Sequence, residues 1–175
     1  MNEYGVATAK DTLRIERILP GPIERVWTYL TDPAKRATWF ARGPMELEAG
    51  GRMELHFDHD DFSDEPYPDK YRKYKGARSP GKIVESKPPH LLVFSWGEDD
   101  GTASEVRFEL AERGKDVHLV LTHSRLSSRD AMLNVAGGWH AHLGVLADRL
   151  NGVEPKAFWT TLIKTEAEYA KRIPA

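Results

Sequence analysis

The side chains that could carry chemistry here are mostly imidazoles. The chain has seven histidines and no cysteine. Thiol nucleophiles, thiolate metal sites and disulfides are therefore excluded together, and histidine is left as the side chain that titrates near neutrality. His123 shares strand parity with Leu119 and Leu121, which turns it inward. There it could hydrogen-bond a ligand or act as a general base, or it could be a core histidine satisfied at the end of its strand. No carboxylate stands at a spacing that would orient it as a base. His118, five residues away, falls on the opposite face.

His140 and His142 are two apart in a helical stretch, so they diverge, whereas chelation from one helix needs a spacing of three or four. His142 lies at the flank of an apolar stripe, and His140 is expected to face out. The densest group of potential ligands is His56, Asp58, His59, Asp60 and Asp61. Its oxygen-rich end could suit a hard cation or zinc, but the spacing matches no defined metal motif, and a solvated acidic loop end is the plainer reading. No metal and no cofactor is expected. Residues 70–75 (KYRKYK) interleave basic and aromatic side chains, a pattern that single-stranded nucleic acid could exploit. They sit beside an acidic run in a chain of net charge −2, so a charged hairpin is expected and a nucleic-acid partner is not. Trp27, Trp39, Trp96 and Trp139 could stack on an aromatic ligand, yet each falls on an apolar face where packing is the default. No serine–histidine–acid series, phosphate loop or paired-carboxylate motif can be placed.

These residues must be positioned by the elements around them. With 175 residues, 40% of them hydrophobic, one domain with a substantial core is expected. Neither a signal-peptide-like apolar run at the start nor a membrane-length apolar stretch occurs, so a cytoplasmic protein without a membrane partner is expected. Residues 1–10 carry no periodic signal and read as a flexible arm. Alternation over 13–19 predicts a strand, stopped by Pro20-Gly21-Pro22. Pro22 then opens a helix with Ile23, Val26, Trp27 and Leu30 on one face, and Asp32-Pro33 caps and opens a second short one.

Strands are predicted at 45–48, 52–58, 82–87, 90–96, 104–110 and 117–123, joined mostly by polar, glycine-bearing turns. The result is a meander with one apolar face. The long charged segment at 58–81 is a lid or a mobile insert, with an acidic half and a basic half able to pair across a hairpin. Residues 128–150 then form a long helix. Met132, Val135, Trp139, Leu143, Leu146 and Leu150 make its stripe, a serine caps its start and Asn151-Gly152 stops it. This helix is the natural cover for the sheet. After Pro155 a separate amphipathic helix carries Phe158, Trp159, Leu162, Ile163, Tyr169 and Ile173. Phe158, Trp159, Leu162 and Ile163 are candidates for a homodimer surface. The domain reading is thus 1–10 arm, 11–151 main domain and 152–175 appended helix.

Strand, two short helices, antiparallel strands and a long C-terminal helix is the helix-grip order of an α+β fold. The segments RILPGPIERVW (17–27), TDP (31–33), GKIVE (81–85), PPHLLVFSW (88–96), VRFEL (106–110), HLVLTH (118–123) and GGW (137–139) resemble the SRPBCC superfamily. Trp39 and Gly50-Gly51 agree. The branch is the one similar to the C-terminal domain of activators of the heat-shock protein 90 ATPase, and the resemblance covers roughly 13–150. It implies a cavity between the curved sheet and the long helix. Its walls would be Met53, Leu55, Phe57, Phe94, Trp96, Val106, Phe108, Leu119 and Leu121, and its roof Val135, Trp139, Leu143 and Leu146. Trp96, His123 and His142 would orient a small hydrophobic or aromatic molecule. Two other functions stay open: a small cyclase-, hydratase- or hydrolase-type enzyme using His123 or His142, and a co-chaperone-like domain with a chaperone partner, implied by resemblance alone.

Overall fold

The computed structural model describes residues 3–175. Seven strands form one antiparallel sheet: β1 (Val6–Ala9), β2 (Thr12–Pro20), β3 (Arg52–His56), β4 (Arg78–Lys87), β5 (Leu91–Trp96), β6 (Ser104–Arg113) and β7 (Asp116–Ser124). Their spatial order is β1-β2-β7-β6-β5-β4-β3. Among the described residues four α-helices join the sheet: α1 (Ile23–Thr31), α2 (Pro33–Ala37), α3 (Arg129–Leu150) and α4 (Phe158–Arg172). This is the helix-grip arrangement.

Period-two patterning does most of the work in the sheet. Leu13, Ile15 and Leu19 of β2, Val106, Phe108 and Leu110 of β6, and Val117, Leu119, Leu121 and His123 of β7 are all buried. Register brings them together, with Ile15 opposite Leu121 and Phe108 opposite Leu121 on the other side. α3 lies on that face. Ser128 caps it by accepting from the Ala131 N–H, and Gly152 stops it at φ +70°. Asp32 caps α2 in the same way, accepting from the Lys35 N–H.

Several expectations change. The flexible arm does not hold for residues 6–9, which pair with β2 as β1. Just before them, the Gly5 N–H donates to the Tyr169 hydroxyl at 2.8 Å. Residues 1 and 2 lie outside the described residues. Residues 45–48 do not form a strand: Met45 makes a single bridge to Met53, and the rest is a loop leading into β3. β4 begins four residues earlier than expected and runs through Pro80-Gly81. Gly81 permits this, because a Cβ there would lie 2.3 Å from the Ser95 carbonyl oxygen of the neighbouring strand.

The larger change concerns α3, which is buried on two sides. Trp139, Leu143 and Leu146 face the sheet, while α4 packs across the other side and buries Ala136, Gly137, His140 and Ala141. A Cβ on Gly137 would lie 2.6 Å from Glu166 Cγ, so glycine allows the close approach of α4. His140 therefore does not face out. It is 6% exposed, and its Nδ1 meets the Tyr169 hydroxyl at 3.0 Å. Phe158, Trp159, Leu162 and Tyr169 join the common core, so the first three are not free to form a dimer surface; Ile163 remains 52% exposed.

One buried charge orders the loop after α2. Arg36 is 1% exposed and donates to the carbonyls of Thr31, Ala41 and Gly43, which fixes residues 38–43. Burial lowers its pKa to about 10, still well above neutrality.

Candidate ligand-binding site

A cavity of about 200 Å³ lies between the sheet, α3, α4 and the charged segment 58–77. Each element supplies aromatic rings. Phe40 comes from the Arg36-ordered loop, Phe57 from the end of β3, Trp96 from β5, Trp139 and His142 from α3, and Phe158 and Trp159 from α4. His59, Tyr71 and Tyr74 come from the charged segment. The rings are in mutual contact: Phe40 stacks on Trp139 with centroids 4.9 Å apart, Phe57 on Trp96 at 5.9 Å, and Tyr71 on Trp159 at 5.2 Å. Among the described residues, no carboxylate, lysine or arginine lines the cavity.

Three histidines around this cavity have their tautomers set by their partners. The Trp139 indole N–H, which can only donate, points to His123 Nδ1 at 3.0 Å. His123 must then carry its proton on Nε2 and donate it to Ser104 Oγ at 2.8 Å. Ser104 in turn donates to the Trp96 carbonyl at 3.4 Å. This relay joins the two tryptophan walls, and it uses the lone pair that a general base would need. Ser104 and His123 resemble a nucleophile–base pair by distance, but the indole imposes the wrong tautomer for one.

His142 Nδ1 meets the Trp39 carbonyl at 2.8 Å, so Nδ1 carries the proton and Nε2 keeps its lone pair. His59 is the reverse. Its backbone N–H donates to the Tyr67 hydroxyl at 2.7 Å, and its Nδ1 lies 3.1 Å from the same oxygen. The Tyr67 O–H has no other acceptor among the described residues, which assigns its proton to Nδ1 and leaves the ring proton on Nε2. Burial lowers all three pKa values, to about 4 for His59 and His123 and, helped by the neighbouring His59, to about 3 for His142. The site is uncharged at neutral pH.

The residues expected to form the cavity divide in two. Phe57, Trp96, Val135, Trp139 and His142 line it. His123 lines a second hollow of about 310 Å³, which shares Trp96, Asn134 and Val135 with the first. Met53, Leu55, Phe94, Val106, Phe108, Leu119, Leu121, Leu143 and Leu146 are buried beneath, away from the 200 Å³ cavity, where the side chains of helix and sheet close on each other. Sequence reasoning missed His59, Tyr71, Tyr74, Phe158 and Trp159 as cavity residues. The signal for the last two was their helical stripe, read as a separate surface. His59 was hidden in an acidic run whose other members turn outward: Asp61 pairs with Arg42, and Asp58 and Asp60 with Lys75. Lys75 thus joins the two halves of the segment, through 3-10 turns at His59–Asp61 and Asp69–Tyr74 rather than a hairpin. Within KYRKYK, Tyr71 is buried against Trp159, and Lys70 and Lys73 lie over the rings of Tyr71 and Tyr74.

Residues 20–151 match the family model described as activator of Hsp90 ATPase homolog 1-like protein. The chain belongs to this family. Among solved structures, the activator-like chain is similar to a protein from Bordetella parapertussis, with 45% identity and a TM-score of 0.83 over 99% of this chain and 92% of that one. CalU16 from Micromonospora echinospora is 24% identical, with a TM-score of 0.69 over 91% of this chain and 86% of that one. An HSP90 activator from Plasmodium falciparum is 19% identical, with a TM-score of 0.54 over 74% and 87%. At these last two identities the likeness shows the fold alone. No curated protein matches the chain. Among the described residues of this family member, no helix is long and apolar enough to cross a membrane.

Proposed function

We propose that this activator-of-Hsp90-ATPase-like protein is a binding module for a small, uncharged aromatic molecule held beneath α3. The observation that carries the reading is the cavity itself, about 200 Å³ and lined by rings with two neutral imidazoles. Apolar cavities of about 150 Å³ are known to take a benzene-sized guest, and drug-sized sites start at about 300 Å³. One or two fused rings fit between these limits. Affinity would come from apolar burial and ring stacking, at about 25 cal/mol per Å² before ordering costs.

Geometry favours binding over acid–base catalysis. His123 has its lone pair engaged by Trp139, and a His142 pKa of about 3 makes a weak base.

Gly138 offers a clean test. It lines the cavity, and a Cβ built on it meets nothing within 4 Å. Gly138→Leu is expected to fill the space and abolish naphthalene binding, followed by protein NMR titration. Gly138→Ala should bind weakly and raise stability by about 0.5–1 kcal/mol through helix propensity. Undiminished naphthalene binding by a folded Gly138→Leu protein would remove this reading.

A further inference from the structure

The two imidazoles that line the cavity differ in what they offer. His142 gives its Nδ1 proton to the Trp39 carbonyl, so Nε2 can only accept. His59 takes the Tyr67 hydroxyl proton on Nδ1, so Nε2–H can only donate. Their ring centroids are 5.5 Å apart. Neither free nitrogen has a hydrogen-bond partner among the described residues, and neither is among the buried polar atoms sealed off by packing. Two neighbouring rings of the wall therefore offer one donor and one acceptor, in a mostly aromatic cavity whose other polar side chains include Ser79 and Asn134.

Each tautomer is held from outside the cavity. The Trp39 carbonyl belongs to the loop that buried Arg36 ties down through the carbonyls of Ala41 and Gly43. Tyr67 receives the His59 backbone N–H, and the ring nitrogen is the one acceptor its own proton has among the described residues. A hydrogen-bonded partner that lacks the matching group leaves a buried polar atom unpaired, a large discrimination compared with that from a methylene.

We infer that the site selects a planar ring system bearing a lactam-type edge, an N–H beside a C=O, with His59 Nε2–H donating to the carbonyl and His142 Nε2 accepting from the N–H. This inference rests on the aromatic-ligand reading above and adds the polar complement to it. Molecules with a single hydrogen-bonding group, and cations that would need an anionic partner, fit less well.

The test uses the full chain and four probes: naphthalene, 2-quinolone, N-methyl-2-quinolone and 3-methyl-2-quinolone. The N-methyl compound lacks the donor, and the 3-methyl compound controls for its size. Expected is binding of 2-quinolone and 3-methyl-2-quinolone at least tenfold tighter than N-methyl-2-quinolone, with that preference lost in His142→Phe or His59→Phe. Long-range proton–nitrogen NMR of the unliganded wild-type protein should show His142 protonated on Nδ1 and His59 on Nε2, a readout that needs no variant to fold. Equal affinity for the two methylated quinolones, or the opposite tautomer at either histidine, overturns the inference. Naphthalene binding would in that case leave the aromatic-cavity reading standing. Failure of all four probes removes both.

Discussion

His123 shows how one buried imidazole can be structural while sitting where a catalytic one would. It accepts from Trp139 and donates to Ser104, and its ring lies nearly parallel to that of Trp96 with centroids 5.7 Å apart. Replacing it by phenylalanine keeps the stacking but orphans the Trp139 indole N–H in the core. A loss of about 2–3 kcal/mol is expected from urea denaturation, with a changed Trp139 fluorescence maximum in the folded state.

The buried histidines also set a pH dependence. In the folded protein the pKa values of His59, His123 and His140 lie near 4 and that of His142 near 3, against about 6.5 for free imidazole. Burial dominates in each case, with the Arg17 charge adding to it at His140 and the Glu3 carboxylate opposing it. Between pH 6.5 and 4 the unfolded chain holds more protons than the folded one. Stability from these groups is therefore complete above about pH 6.5 and falls as the medium is acidified. Each group contributes a slope of up to about 1.4 kcal/mol per pH unit in that window. Urea midpoints at pH 7.5 and 5 should show the drop, and His123→Phe should flatten it.

At the level of elements, α4 and the charged segment convert a sheet-and-helix pair into an enclosed site. The segment is fastened to α4 by polar contacts: the Tyr71 hydroxyl donates to Glu166, and the Thr160 N–H and hydroxyl donate to Glu65. Tyr71→Phe removes the first without changing the ring that stacks on Trp159. Amide exchange over residues 59–75 should quicken by about tenfold, while β2 and β7 keep their protection. Removing α4 is a different matter, because Phe158, Trp159, Leu162, Tyr169 and Ile173 leave the core with it. At about 1.5–3 kcal/mol for each large buried side chain, a chain ending at Gly152 should lose its near-ultraviolet circular dichroism and its cooperative unfolding.

For the molecule as a whole, residue pattern alone determined the helix-grip plan. Period-two strands, the Asp32 and Ser128 caps, the Gly152 stop and the stripe on α3 are local signals, and each is physically sufficient for the element it marks. It also determined that His123, Trp96 and Trp139 point inward, since strand parity and helical spacing decide which face a side chain takes. Tertiary structure decided where the space lies. The central core positions close on one another, and the opening is displaced toward β3, the charged segment and α4, whose close approach to α3 depends on Gly137. Only that docking reveals that α3 has a second buried face and His140 an indoor partner. Tautomers belong to the same class of fact. Whether a histidine accepts or donates is settled by the Trp139 indole, the Trp39 carbonyl and the Tyr67 hydroxyl, 16, 103 and 8 residues away in the chain. No local pattern encodes such pairings, because they exist only once the sheet, the helices and the loops have closed around the site.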